Sequence, residues 1–137
     1  MATDGSSFST PMFTIERIRP EVNLIRYADG IVINAALVEE SMRVRKEVQE
    51  GAPYATIAVF PPSATYDPDL FDGDLYKDEV PEHFSKALAV VMEHGNLRDV
   101  AERYYSQYPP FFQVRIFDDV SASLLWVEGI MGARHLS

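Results

Sequence analysis

Hydrophobic and polar positions change period several times along this chain. Residues 12–18 alternate loosely between apolar and polar side chains, which predicts a first strand followed by a turn at Pro20. Residues 24–27 and 31–33 are two short β-rich runs on either side of Asp29-Gly30. Aspartate and glycine both tolerate positive φ, so this spacing predicts a hairpin between the two runs. From Ala35 the period lengthens to that of a helix, with Leu37, Val44 and Val48 on one stripe and Ser41 between them. Asn34 is a suitable N-cap and Gly51 a stop, giving a helix over about 35–50. Glu39 and Glu40 sit early and Arg43, Arg45 and Lys46 later, an order that complements the helix dipole and predicts a Glu39–Arg43 pair.

Two later runs lose alternation. Thr56-Ile57-Ala58-Val59-Phe60 and Ala87-Leu88-Ala89-Val90-Val91-Met92 are almost continuously apolar, as strands buried on both faces are. Between them, 61–81 reads as a long connection with little regular structure. Gly95-Asn96 breaks the second run and opens a helix with Asn96 as N-cap. Leu97, Val100, Ala101, Tyr104 and Tyr108 stripe that helix, and Pro109-Pro110 ends it. Residues 112–117 form a last strand whose half-polar pattern suits a sheet edge. Asp118 is placed to cap a final helix over about 119–130 that carries Leu124, Leu125, Trp126 and Val127. Strands separated by helices imply right-handed crossovers and parallel pairing. The expected fold is α/β: a mixed, mainly parallel sheet with an N-terminal antiparallel hairpin or three-strand meander, and about four helices. The expected organisation is a disordered tail over 1–11, one domain over 12–131 and a frayed end over 132–137.

The second half of this pattern resembles a known group. The residues that carry the resemblance are Ala87-Leu88-Ala89-Val90-Val91, Tyr108-Pro109-Pro110, Val114-Arg115-Ile116-Phe117-Asp118-Asp119 and Trp126-Val127. Together they are similar to small bacterial proteins of the STAS-like (anti-sigma-factor-antagonist-like) fold, including uncharacterised single-domain members. The likeness spans roughly 24–130 by element order and about 87–127 by residue pattern. It implies a mixed sheet with βα units winding as a superhelix, and a regulatory or protein-interaction role more than catalysis. Phosphoregulated members carry an Asp-Ser-Ser-Gly-like turn after the central strand. Here that strand ends Phe60-Pro61-Pro62-Ser63-Ala64-Thr65, with no acidic residue and no glycine. Ser63 is the nearest positional analogue of the phosphoacceptor, and the phosphoswitch is not inherited.

Composition narrows the function classes. The chain has 137 residues, enough for one domain with its own core. It contains no cysteine, which removes disulfides, thiolate metal sites and a cysteine nucleophile. The net charge of −9 argues against a nucleic-acid partner, whose backbone needs a basic face. No apolar run approaches the ~20 residues that span a bilayer. The Ser/Thr-rich start has neither the basic nor the apolar region of a signal peptide, so a cytoplasmic protein is expected.

The remaining motifs have plain structural readings. Asp67 to Glu82 is strongly acidic, but aligning Gly73 with the turn of a calcium loop puts Pro68 and Leu70 at its first ligand positions. These have no side-chain oxygen, so the segment reads as a solvated acidic loop. His83, His94 and His135 show no metal-ligand spacing, and no nucleophile elbow or phosphate-binding glycine loop is present. No catalytic, metal or cofactor residue is therefore assigned, and no cofactor is expected. Tyr66, Phe71 and Tyr76 in the long connection, and Tyr105 and Phe111 near Pro109-Pro110, are the candidates for an interaction surface or a pocket. The leading expectation is a non-catalytic interaction or regulatory module, self-associating as a homodimer and with its protein partner unspecified. The alternative is a carrier of a small apolar ligand or lipid, which needs an enclosed pocket of roughly 300 Å³ or more. An enzyme is the third reading.

Overall fold

The computed structural model describes residues 7–50, 52–71, 85–110 and 112–136. Their strands are β1 (Ser7–Ser9), β2 (Phe13–Arg19), β3 (Val22–Tyr27), β4 (Val32–Ile33), β5 (Tyr54–Val59), β6 (Thr65–Tyr66), β7 (Ser85–Val91) and β8 (Gln113–Phe117). Their helices are α1 (Ala35–Val48), α2 (Asn96–Gln107) and α3 (Val120–Leu136), with a 3-10 turn at Pro68–Phe71. Six strands form one sheet in the order β1-β2-β3-β5-β7-β8. β1, β2 and β3 are an antiparallel meander, and β3, β5, β7 and β8 run parallel.

The two apolar runs lie side by side at the centre, with Ile57 opposite Ala89 and Ala58 opposite Val90. Both faces of this pair are covered, which explains the lack of alternation. One face packs against α1 and α2 through Ile25, Ala58, Leu88, Val90, Leu37, Val44 and Tyr104. The other packs against α3 through Leu24, Ile57, Val127 and Met131. Ala55, Ala87 and Ala89 are fully buried beneath α3, and their small side chains let the helix sit close to the sheet. The connection from β5 to β7 also packs on the α1/α2 face, through Ala64, Tyr66 and Leu70.

A buried polar cluster joins the first helix to this sheet. Thr56 donates to Asn23 Oδ1 at 2.8 Å, Asn23 donates to Gln49 Oε1 at 3.3 Å, and Gln49 donates to the Pro20 carbonyl at 3.1 Å. Each of the three polar side chains has its hydrogen-bonding partner, so their burial is tolerated.

Several local expectations are corrected. The Asp29-Gly30 turn does not close a hairpin: β3 is flanked by β2 and β5, so no edge is left for 31–33. β4 instead pairs in parallel with β6 in a separate two-stranded sheet. The antiparallel hairpin lies one turn earlier, between β2 and β3. Among the described residues there are three α-helices rather than about four, and the connection after β5 holds β6 and the 3-10 turn. Ser7–Ser9 pair with β2, a strand that the sequence pattern did not predict. α3 spans Val120–Leu136, longer than the helix expected over about 119–130.

The caps differ too. Asn34 caps α1 as expected, accepting the Leu37 N–H at 2.9 Å. The helix ends at Val48, with Gln49 as its C-cap. The cap of α2 is Gly95 rather than Asn96, and Asp119 rather than Asp118 accepts the Ala122 N–H in the first turn of α3. Arg43 pairs with Glu40 and Glu47, not Glu39.

Candidate functional site

The parallel strands β5 and β7 end together on one ridge. The Phe60 N–H reaches the Val91 carbonyl at 3.0 Å, and the Met92 N–H reaches the Phe117 carbonyl at 3.2 Å. In open α/β sheets the carboxyl ends of parallel strands are where ligands bind, because the loops there diverge. Here Pro61-Pro62 ends β5 and prevents the strand from continuing as a regular ladder. The chain then turns, with Ala64 N–H on the Pro61 carbonyl, and β6 runs back beside β4. On the other side, residues 92–97 lead from β7 into α2. The gap between the two segments is a cleft of about 510 Å³.

Tyr66 forms one wall of the cleft and also packs on the core. Its hydroxyl accepts a hydrogen bond from Asn96 Nδ2 at 3.2 Å, so the two sides are tied at one point. Gly95 adopts φ 154° and ψ −170°, a region that only glycine occupies comfortably. No side chain caps α2, so its first N–H groups face the loop without a side-chain acceptor.

An ionic cluster stands behind the cleft. Arg98 donates to the Met92 carbonyl at 3.2 Å and to Asp118 Oδ1 at 2.5 Å, and its side chain is only 12% exposed. It also lies 3.5 Å from Glu102. The hydrogen bond from Arg98 holds the Asp118 carboxyl below its ordinary value of 3.8, against the opposing effect of desolvation. The charges of Arg98 and His94 act in the same direction as that bond. His94 Nε2 lies 3.2 Å from the same oxygen. These groups lock the end of β7 and the first turn of α2 to the loop after β8. They are a brace, not a nucleophile with its base. Among the described residues no group of three metal-binding side chains comes together.

The residues singled out from the sequence fall in different places. Tyr66 lines the cleft. Ser63 turns away from it: its hydroxyl accepts the Gly30 N–H at 2.8 Å and lies 3.4 Å from Asp29 Oδ1, fastening the turn after β3. Tyr105 lines a second, partly open cavity that shares Met92 and Leu97 with the cleft, and it meets Tyr104 edge-on, with ring centroids 5.4 Å apart. That cavity measures about 80 Å³, well short of the volume a lipid or drug-sized ligand requires. Phe71 ends the 3-10 turn. Tyr76 and Phe111 lie outside the described residues. Sequence reasoning did not connect Arg98 and Asp118, although each adjoins the end of a predicted parallel strand and the topology places them on one ridge.

No protein-family model, curated protein or solved structure matches this chain. Among the described residues, no helix is long and apolar enough to cross a membrane.

Proposed function

We propose that this chain is a non-catalytic interaction module of STAS-like type, acting in the cytoplasm by binding another polypeptide at the cleft beyond β5 and β7. The observation that carries this reading is the cleft itself. It is about 510 Å³, it stands at the carboxyl ends of the central parallel strands, and its walls carry three prolines, Tyr66, Met92 and Leu97 beside the polar Thr65, Glu93, His94 and Asn96. The prolines, Tyr66 and Leu97 offer a partner shape and apolar contact. The STAS-like part of the reading rests on the Ala87–Val91, Val114–Asp119 and Trp126-Val127 segments and on the alternation of parallel strands with helices.

Self-association as a homodimer is a second element of the proposal. Leu125, 74% exposed on the outer side of α3, favours it. Native mass spectrometry of gently purified protein tests both elements in one experiment. A retained polypeptide or a twofold mass supports the reading. A bare monomer that retains only a small molecule, or turns one over, contradicts it.

A further inference from the structure

The cleft between 61–68 and 92–97 combines two kinds of chemistry. Its walls are largely apolar, with Pro61, Pro62, Pro68 and Leu97 flanking the Tyr66 ring. Its margin is acidic. Glu93 lines it directly, and Asp67 sits exposed between the lining residues Tyr66 and Pro68. Asp99 stands exposed in the first turn of α2; Asp118 touches the lining residue His94 but is already paired with Arg98 and adds no free charge to the margin. Arg98, the guanidinium beside them, is largely buried and already engaged by the Met92 carbonyl, Asp118 and Glu102. Glu93 and Asp99 also oppose the positive end of the α2 dipole, so the site does not favour an anion.

An apolar trough with a negative margin complements a segment that carries both apolar surface and cationic side chains. A second copy of this chain is a poor source of one. Each copy carries a net charge of −9, so a second copy meets the acidic margin with like charge overall. The proline walls suit an extended backbone, since they offer rigid apolar surface and no N–H that a ligand must satisfy. We infer that the cleft is the docking groove for an extended segment of a different protein that bears lysine or arginine.

This inference rests on the interaction-module reading. Its test is a nitrogen–proton correlation spectrum of the full chain, titrated with a blocked heptapeptide of alternating lysine and proline. Its glutamate–proline counterpart and spermine serve as comparisons. The lysine peptide is expected to move the amides of Tyr66, His94, Gly95 and Asn96, and the glutamate peptide to move none. Glu93→Gln weakens the lysine peptide about threefold or more, and raising salt from about 50 to about 500 mM weakens it about tenfold. Glu39→Gln makes the same change of charge on exposed α1 and leaves the affinity as it was.

Shifts elsewhere, an equal response to the glutamate peptide or an equal loss with Glu39→Gln overturn the inference. Spermine binding as tightly as the peptide also overturns it, because the cleft is then a site for a small polycation. A polypeptide partner retained in native mass spectrometry while these amides stay still under the lysine peptide overturns the basic-segment inference and leaves the interaction-module reading standing.

Discussion

Thr56 Oγ1 lies 2.8 Å from Asn23 Oδ1 across the parallel β3–β5 pair, and both side chains are fully buried. The bond satisfies polar atoms on two strands and, through Gln49, reaches the end of α1. Thr56→Val keeps the shape but leaves the Asn23 oxygen without its donor. It is expected to cost about 1–3 kcal/mol. In a double-mutant cycle, Thr56→Val and Gln49→Ala should be coupled by about 0.5–3 kcal/mol through the shared asparagine. Chemical denaturation of the single and double variants measures both quantities. Strict additivity contradicts the network.

The central strands predict a steep contrast in stability. Ile57 is fully buried beneath α3, so Ile57→Ala should cost about 2–5 kcal/mol through lost burial and the cavity left behind. Leu125, 74% exposed, should tolerate Leu125→Ala within about 0.5 kcal/mol in the dilute monomer. Urea unfolding midpoints separate the two outcomes.

Two glycines should respond in opposite directions. A Cβ at Gly95 or at Gly129 meets nothing within 4 Å. At Gly95 the positive φ is the obstacle, and Gly95→Ala should destabilise by about 1–3 kcal/mol. Gly129 lies inside α3, where alanine forms helix more readily, and Gly129→Ala should stabilise by about 0.5–1 kcal/mol. Thermal unfolding gives both signs.

The Asp118–Arg98 bond makes part of the stability pH-dependent. The folded-state pKa of Asp118 is lowered, so its contribution is present above the ordinary value of 3.8 and is lost as pH falls through the lower folded value. Asp118→Asn should therefore lower the urea midpoint at neutral pH, and the gap to the parent protein should close in stronger acid. A gap that persists unchanged below that range contradicts the assignment.

Continuous apolar runs, helix-period stripes and the polarity of β8 make the parallel half of the sheet legible in the sequence. Residues 56–60 and 87–92 could hardly face water on either side, and they became neighbouring inner strands. The failures were failures of partner choice. Asp29-Gly30 has the right local chemistry for a hairpin, but β3 was already paired on both sides, so tertiary context overrode the turn signal. Asn96 is a good cap by type, yet Gly95 occupies a conformation that asparagine avoids, and the Asn96 side chain binds Tyr66 instead. Of the cleft, Tyr66 and the Gly95 turn were legible. The bond between Arg98 and Asp118 spans 20 positions and follows only once the order of β7 and β8 is known.

Site-specific photocrosslinking in the native host tests the central claim most directly. His94→p-benzoylphenylalanine places the reactive group on an exposed cleft residue, and Glu39→p-benzoylphenylalanine serves as a control on α1. The account predicts a covalent adduct from position 94 to a different polypeptide, through a lysine- or arginine-bearing segment, and no such adduct from position 39. Irradiated protein that stays unlinked at 94, or that links equally from both positions, contradicts it.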